Sequence, residues 1–168
     1  IDLENEFVIA LAYTENCGLK LDTKLWTSKM AKDLECLKSS ENALNDYVLT
    51  NHAGSDFIDN QLDLFSSTLT CKVDWASPKQ VVKFFNYLGI NTKTKDKQSG
   101  QMKDSVEAPV IEKFKEQFPV VKLYLDYKGY QKVVTTYGDT FLRQINPMTD
   151  RLHTSFRQIM DTGRISSG

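Results

Sequence analysis

The sequence has few of the residues from which disulfide frameworks and metal centres are built. It contains three cysteines, Cys17, Cys36 and Cys71, and two histidines, His52 and His153, among 168 residues. They do not form a cluster at the short spacing that a zinc site requires. We therefore expect no metal site in this chain, and we expect reduced thiols that pack as small apolar side chains.

Long apolar runs and catalytic motifs are missing as well. No stretch approaches the roughly 18 consecutive apolar residues of a membrane helix, so no contact with a membrane is expected. The opening stretch IDLENEFVIA has neither an initiating Met nor a basic segment, which predicts that no signal peptide is present and that the chain is a piece of a longer protein. Because the chain holds no Walker A loop, HExxH, GxGxxG, Ser-His-Asp set or acidic pair, we predict no catalytic residue within it.

Charge is distributed unevenly along the chain. Residues 1–75 carry 6 Lys and Arg against 13 Asp and Glu, a net charge of −7, and residues 76–168 carry 15 against 9, a net charge of +6. The two values sum to the net charge of −1 of the whole chain. This segregation indicates either that the second half faces a polyanion or that both halves are simply solvated.

Helical periodicity dominates the sequence. Apolar residues recur every three to four positions in five segments, approximately 3–17, 23–49, 78–88, 105–118 and 119–137. Residues typical of helix ends flank them: Asp22 or Thr23, Ser77 with Pro78, and Ser105 at the beginnings, and Gly18 and Gly89 at the ends. We therefore expect a mainly α fold with long antiparallel helices.

Three segments lack this period. Residues 50–76 are rich in Asn, Ser, Gly and Asp, and they predict a long loop with one short strand. Residues 91–105 predict a flexible loop whose lysines either contact phosphates or are merely solvated: Lys93, Lys95, Lys97 and Lys103. Near the C-terminus, the turn signals Asn146-Pro147 and Thr149-Asp150 separate two short stretches that favour strands, so a small β-hairpin is expected there.

The last part of the chain carries an ordered series of motifs. Within KLYLDYKGYQKVVTTYGDTFLRQINPMTDRLHTSFRQIMDTGRISSG stand a Y-K-G start, a K-V-V-T-T-Y centre, an I-N-P-M-T-D-R-L-H-T turn and a T-G-R-I-S-S end. In this order they closely resemble the segment of family A DNA polymerases, the bacterial polymerase I type, that joins the thumb to the palm. Weaker similarity in LAYTENCGLKLD and WASPKQVVKFFNYLGI extends the resemblance over nearly the whole chain except residues 50–72.

Some positions depart from the family pattern. Gly168 stands where the bacterial enzymes usually have an Asp or a similar residue, which indicates a phage-like branch. Val134 stands where many relatives have a second lysine, and Lys128 where an arginine is common. The last two departures weaken any direct transfer of DNA contacts to these positions.

The resemblance implies a domain organisation and a parent enzyme. Residues 1–138 correspond to a thumb-like helical region with its tip at about 91–105, and residues 139–168 to the start of a truncated palm. The parent would be a monomeric DNA-directed DNA polymerase, a nucleotidyltransferase of DNA replication that uses Mg²⁺, primer-template DNA and deoxynucleoside triphosphates in the cytoplasm of a bacterium or a phage-infected cell. The family's metal-binding aspartates follow the end of this chain, so we expect it to bind DNA but to be inactive alone.

The resemblance also implies which residues contact DNA. Arg164 would reach the minor groove near the primer terminus, where every correct base pair offers an acceptor; the alternative is an arginine in a surface turn. The other candidates outside the lysine-rich tip are suited to phosphate or sugar: Lys128, Lys132, Thr135, Thr136, Thr162, Ser166 and Ser167. The last three are equally ordinary turn residues.

Four further residues are expected to be structural. We expect His153 to hold the C-terminal hairpin in place, and Tyr127, Tyr130 and Tyr137 to lie in the core. A second class of function also fits the composition, namely a non-enzymatic helical interaction module, such as a coiled-coil protein, with a basic surface that binds nucleic acid.

Overall fold

The structure is a computed structural model that describes residues 2–62, 67–96, 99–158 and 164–167. Its helices are α1 (Asp2–Cys17), α2 (Thr23–Asn51), α3 (Pro78–Tyr87), α4 (Ala108–Ile111), α5 (Pro119–Tyr137) and α6 (Asp139–Leu142), with a 3₁₀ turn at Glu112–Phe114. Its strands pair in antiparallel twos: β1 (Ile58–Leu62) with β2 (Ser67–Cys71), β3 (Lys93–Lys95) with β4 (Met102–Asp104), β5 (Ile145–Asn146) with β6 (Arg151–Leu152), and β7 (Phe156–Arg157) with β8 (Ser166–Ser167). The predicted mainly α fold with small β-hairpins is confirmed. Lys97 and Thr162 lie outside the described residues.

The chain divides into two compact units. The central unit is Asp33–Lys132, and the terminal unit combines Ile1–Lys32 with Val133–Gly168. Helices α2 and α5 each contribute residues to both units. This division by compactness does not test the predicted boundary between a thumb-like region and a palm at residue 138, which stays a prediction.

The helix ends that the sequence marks most clearly occur as expected. The carboxylate of Asp22 accepts a 2.9 Å hydrogen bond from the backbone N–H of Leu25, so Asp22 is the cap of α2. Helix α3 begins at Pro78 after Ser77, whose carbonyl oxygen accepts the N–H of Val81 at 3.1 Å. Beyond its end Gly89 has a φ of +81°, a left-handed conformation that glycine adopts without strain.

The helix predicted from Ser105 begins three residues later and is interrupted. Ser105 is buried, and its backbone N–H donates to the carbonyl oxygen of Thr92 at 2.8 Å, which continues the pairing of β3 with β4. Helix α4 therefore begins at Ala108, after Glu107 as the capping residue, and a 3₁₀ turn follows it. The first residues of the predicted helix therefore belong to the β3–β4 pairing.

Two segments predicted as loops contain hairpins. Residues 58–62 and 67–71 form β1 and β2, paired from Ile58 opposite Cys71 to Leu62 opposite Ser67. Asp59 and Asn60 have low strand propensity, so the sequence of either strand alone does not predict the pairing. Residues 93–95 and 102–104 likewise form β3 and β4, and β7 pairs with β8 where only one C-terminal hairpin was expected.

The core of the central unit is aromatic at its centre. The ring of Phe84 meets that of Trp75 edge-on at 5.7 Å, and Phe85 meets Tyr124 edge-on at 5.4 Å. The indole N–H of Trp75 donates to the side-chain oxygen of Asn45 at 2.8 Å, so this buried donor is satisfied. The buried apolar residues around them are Leu44, Val48, Val73, Val81, Ile90, Val106, Ile111, Val120, Val121 and Tyr127.

The tyrosines of α5 differ in their environments. Tyr127 is 5% exposed and belongs to the core, as predicted. The prediction was wrong for Tyr130 and Tyr137, which are 37% and 48% exposed. The cause is that the buried residues of α5 all lie between Val120 and Tyr127. In the terminal unit, the ring of Tyr137 meets the rings of Trp26 and Phe141 edge-on, at 6.4 and 5.9 Å.

Tyr124 is the buried tyrosine whose hydroxyl lacks a hydrogen-bond partner within the described ranges. Burial, and secondarily Tyr127, raise its pKa above the ordinary value near 10. Because burial disfavours the ionised form, the folded state binds the Tyr124 proton more tightly than the unfolded state does, and the free energy of unfolding falls as the pH rises beyond 10. The hydroxyl of Tyr127, by contrast, accepts a 3.2 Å hydrogen bond from Gln131.

We therefore predict opposite effects for two removals of a hydroxyl. Tyr124→Phe should raise the free energy of unfolding by up to about 1 kcal/mol at neutral pH, because it removes a buried and unpaired polar group. It should also reduce the loss of stability above pH 10. The matched control Tyr127→Phe should lower the free energy of unfolding by about 0.5–1.5 kcal/mol. Urea unfolding at pH 7 and pH 10.5 measures both, and a loss in both variants at pH 7 would contradict the assignment.

Candidate nucleic-acid interface

The candidate DNA-binding residues within the described ranges lie in three parts of the chain. The first part is the β3–β4 hairpin of the central unit, with Lys93, Lys95 and Lys103. The second is helix α5, with Lys128, Lys132, Thr135 and Thr136. The third is the C-terminal stretch of the terminal unit, with Arg164, Ser166 and Ser167.

The lysine-rich segment is an ordered two-stranded ribbon. Lys93 lies opposite Asp104, Thr94 opposite Lys103, and Lys95 opposite Met102. Residues directly opposite each other share a face, and successive residues alternate between faces. Lys93 and Lys95 therefore share one face, whereas Lys103 lies on the other. The three lysines are exposed, but they do not form a single surface.

The base of this hairpin is fixed by buried polar contacts. Thr92 is fully buried, and its hydroxyl lies 2.7 Å from a carboxylate oxygen of Asp104 and 3.0 Å from the side-chain oxygen of Asn86 on α3. The side chain of Asn91 accepts the backbone N–H of Lys93 at 3.0 Å. The neighbours Ile90 and Val106 are 1% and 7% exposed. The hairpin thus leaves the core of the central unit from two buried ends.

The turn of the hairpin is organised by Asp96. One carboxylate oxygen accepts the backbone N–H of Ser99 at 3.1 Å, and the other lies 2.6 Å from the ammonium nitrogen of Lys103. The hydrogen bond that the Lys103 ammonium donates to Asp96 raises the pKa of Lys103, which therefore stays charged. The backbone N–H of Asp96 also donates to Gln101 at 2.8 Å. One of the predicted DNA-binding lysines is thus engaged within its own hairpin.

The candidates on α5 have different surroundings. The half-buried Lys128 donates to the side-chain oxygen of Gln131 at 2.6 Å, and this amide donates in turn to Tyr127. Lys132, Thr135 and Thr136 are exposed. Lys128 is therefore linked through Gln131 to a core tyrosine.

The C-terminal candidates lie beside a short strand pair. Ser166 is opposite Arg157, and Ser167 is opposite Phe156. Arg164 precedes this strand by two residues and is exposed, Ser166 is half-buried and Ser167 is exposed. The pairing fixes the backbone at Ser166 and Ser167, so Arg164 is attached to an ordered strand and not to a free end.

The R-L-H sequence at 151–153 makes contacts within the fold. Leu19, just after α1, and Leu152 exchange two backbone hydrogen bonds of 2.8 and 2.9 Å. The guanidinium of Arg151 donates to the carbonyl oxygens of Cys17 and Gly18 at 3.1 and 3.3 Å. These carbonyls lie at the end of a helix, where partners within the helix are missing. We call this contact between residues 15–19 and 151–156 the α1–β6 latch.

His153 completes the α1–β6 latch. One ring nitrogen lies 2.8 Å from the carbonyl oxygen of Glu15, and the other 2.8 Å from the hydroxyl of Thr149. The carboxylate of Glu15 accepts the backbone N–H of Phe156. The expectation that His153 holds the hairpin agrees with these contacts. No comparable prediction concerns Arg151, although it stands shortly after a predicted turn and the carbonyls that it contacts stand at a predicted helix end.

Neither a cluster of metal ligands nor a helix that could span a membrane occurs among the described residues. The described residues include no group of three or more His, Cys, Asp or Glu side chains close enough to hold a metal ion. None of the helices within these ranges combines the length and the apolar character that a membrane crossing demands. The donor set of this part of the chain does not fit a Mg²⁺ site, and we assign no residue to one.

Comparison with known proteins gives the family. Residues 57–168, which are 112 of the 168 residues, match the family model for DNA polymerase family A. The chain belongs to this family. That membership decides against the alternative of an unrelated helical interaction module.

The relatives and a solved structure agree with this placement. The chain is 29% identical over 170 residues to the thermostable DNA polymerase I of Thermus aquaticus, covering 99% of this chain and 17% of that protein. It is 31% identical over 168 residues to DNA polymerase I of Geobacillus stearothermophilus, covering 99% and 16%. The solved structure of the POL domain of Pol1 from M. smegmatis, in complex with DNA primer-template and dNTP, superposes with a TM-score of 0.66 at 22% identity, covering 94% of this chain and 24% of that one. The chain thus spans about one sixth of the two DNA polymerase I relatives.

Sequence reasoning missed two residues that organise the candidate interface. Thr92 and Asp96 carry no cation, and they were not singled out in the lysine-rich segment. The sequence does contain a strand pattern here, because Thr92, Thr94 and Asp96 alternate with Lys93 and Lys95. With three residues per strand, this alternation is too short to predict a strand in a segment whose polar composition predicts a loop.

The α1–β6 latch generates a test of its own. Gly18 has a φ of +59°, and a Cβ placed there would lie 2.7 Å from the carbonyl oxygen of Leu152. Gly54 has a φ of +86°, and a Cβ placed there would meet nothing within 4 Å. Gly54→Ala should therefore cost about 1–2 kcal/mol of unfolding free energy from backbone strain alone. Gly18→Ala should cost at least about 1 kcal/mol more, measured by urea unfolding, and equal losses would contradict the latch.

Proposed function

We propose that this chain is the part of a DNA-directed DNA polymerase that grips the primer-template duplex during template-directed nucleotide addition. Membership of DNA polymerase family A is the observation that carries the proposal. The exposed cations of the basic half support it, because lysine, arginine and hydroxyl groups are suited to contacts with phosphate and sugar. The relatives are named DNA polymerase I, and the solved structure contains primer-template DNA and dNTP.

The finer assignments belong to the same proposal. We propose that residues 1–138 act as a thumb with its tip at 91–105, and that residues 139–168 begin a palm. The parent enzyme would use Mg²⁺ and deoxynucleoside triphosphates as a cytoplasmic monomer. This chain's own residues would bind and orient the duplex, and the chain alone would be inactive in nucleotide addition.

The first test is the salt dependence of DNA binding. The whole chain should bind a primer-template duplex of arbitrary sequence, because its contacts go to the backbone or, at Arg164, to minor-groove acceptors that every correct base pair offers. Each neutralised phosphate contributes about −0.9 to the slope of log affinity against log salt. With at least two contacts, we expect a slope of about −2 or steeper in fluorescence anisotropy titrations between 50 and 200 mM NaCl.

Two outcomes would contradict this proposal. A titration that stays flat across salt would show that phosphate contacts do not carry the binding. A strong preference between two duplexes of equal length and scrambled sequence would show that base edges are read, which the proposed backbone contacts cannot do.

Arg164 is the proposed contact nearest the chemistry. Its guanidinium is exposed, and two residues later the chain is held by strand pairing. Every correct base pair offers a minor-groove acceptor, N3 of a purine or O2 of a pyrimidine, so one guanidinium can check pair geometry without reading sequence. A contact that forms only when the terminal pair is aligned stabilises the transition state more than the bound complex.

In the parent enzyme, Arg164→Ala should therefore slow nucleotide addition by about tenfold or more, equivalent to about 1.4 kcal/mol, with little change in the DNA dissociation constant. Lysine at this position should rescue only partly, because a point charge lacks the planar fork. A mismatched primer terminus displaces the acceptors, so the substitution should slow its extension much less. Single-turnover rates on matched and mismatched primers measure this difference.

Arg157 provides the matched control for Arg164. It is an exposed arginine on the strand that pairs with Ser166, so its removal changes the local charge equally. Arg157→Ala should not change the ratio of matched to mismatched rates. If Arg164→Ala slowed both primers by the same factor, Arg164 would be a general phosphate contact or a structural residue.

A further inference from the structure

The β3–β4 hairpin presents two faces with different charge. One face carries Lys93, Lys95 and Met102, together with Asp104 at the base, and the opposite face carries Thr94 and Lys103. A two-stranded ribbon anchored at both buried ends cannot turn both faces toward one surface. A duplex that meets the hairpin therefore contacts one of these lysine sets and not the other.

The lysine of the second face is engaged within the hairpin. Its ammonium nitrogen lies 2.6 Å from Asp96, which is only 24% exposed and is held in place by the N–H of Ser99. A phosphate that approached Lys103 would meet the negative charge of Asp96 at the same place. To neutralise a phosphate, Lys103 would have to give up its ion pair with Asp96. The free energy gained by releasing a counterion from the DNA would then be offset by the loss of that ion pair.

The first face lacks such a competitor. Within the described residues, neither Lys93 nor Lys95 has an ion-pair partner, and both are exposed. The only acidic residue of this face, Asp104, accepts the hydroxyl of the buried Thr92 at 2.7 Å, at the base of the hairpin. The cationic charge of this face is therefore directed to solvent.

We propose that the Lys93–Lys95 face is the surface of the hairpin that contacts the DNA backbone, and that Lys103 acts as an internal brace of the turn through Asp96. This inference rests on the proposed function and adds which side of the hairpin meets the duplex. The two lysines are two residues apart, roughly 7 Å along a strand. A DNA strand carries one phosphate for about every 3.4 Å of helix axis, so both ammonium groups can lie beside phosphates of the same strand.

The test compares two substitutions that each remove one charge from the same hairpin. Lys95→Gln and Lys103→Gln keep most of the side chain, and each lies on one strand of the ribbon. In anisotropy titrations of the whole chain with a primer-template duplex, Lys95→Gln should flatten the salt slope by about 0.9, and Lys93→Gln with Lys95→Gln by about 1.8. Lys103→Gln should leave the slope unchanged.

A second variant tests the role of Lys103 even if Lys103→Gln disturbs the turn. Asp96→Asn retains every lysine and removes the charge that holds Lys103. If Lys103 is a brace on the far face, the slope should stay as in the unsubstituted chain. A steeper slope would show that Lys103 becomes available to a phosphate once Asp96 releases it, and this would overturn the proposal.

The outcomes separate this inference from the proposed function. If the unsubstituted chain shows no salt-dependent binding, the proposed function itself fails. If it binds, and Lys95→Gln and Lys103→Gln flatten the slope equally, the choice of face is wrong while duplex binding stands. Circular dichroism melting of Lys95→Gln, alone and with Lys93→Gln, should match the unsubstituted chain, because these exposed charges on a hairpin contribute little to stability.

Discussion

The central unit depends on the packing around Phe84. Its ring contacts those of Trp75 and Phe57 at 5.7 and 5.1 Å, and it is fully buried on α3. Through Trp75 and Asn45 this packing includes the second half of α2, and through Trp75 and Tyr124 it includes the beginning of α5. Such a cluster of large side chains has few alternative arrangements. Within the central unit, the elements that pack on this cluster are positioned by it.

The β3–β4 hairpin leaves this core between the buried residues Ile90 and Val106. Because its two ends are buried and Thr92 is bonded to both α3 and β4, its lysines are carried on a restrained ribbon. An ordered ribbon loses less conformational entropy on binding than a flexible loop would. The same restraint explains why the identity of the exposed face matters, since the hairpin cannot reorient to use all its lysines at once.

The terminal unit has a different organising contact. The α1–β6 latch joins residues far apart in sequence by backbone pairing and by the guanidinium of Arg151. This contact also accounts for Gly18, whose position leaves no room for a side chain. Two residues of the motif that resembles family A polymerases, Arg151 and His153, are therefore structural in this chain, whereas Arg164 is exposed.

Much of the fold could be predicted from the sequence because its signals are local. Asp22 and Pro78 mark helix beginnings, and Gly89 marks an end, through interactions within a few residues. The hairpins at 58–71 and 93–104 could not be predicted, since strand pairing is a property of two segments and the individual strands are polar. The exposure of Tyr130 and Tyr137 was missed for a similar reason: a helix keeps its apolar period beyond the point where its partner elements end.

The candidate site was predicted in its residue types but not in its arrangement. Similarity to the family motifs indicated Arg164 and the lysines of α5 and of the β3–β4 hairpin as candidates, and the composition indicated a basic half. The sequence could not indicate that Lys103 is bound to Asp96 or that Lys128 is bound to Gln131, because both contacts depend on the folded geometry.

The central claim is that the β3–β4 hairpin and the C-terminal strand bind a DNA duplex. Hydrogen-deuterium exchange of the whole chain, with and without a primer-template duplex of arbitrary sequence, tests it most directly. We expect slower exchange at residues 93–104 and 164–167 when the duplex is present, and no change at the β1–β2 hairpin of residues 58–71, which lies in the acidic half of the chain. Unchanged exchange at 93–104 and 164–167, or protection confined to residues 58–71, would contradict the claim.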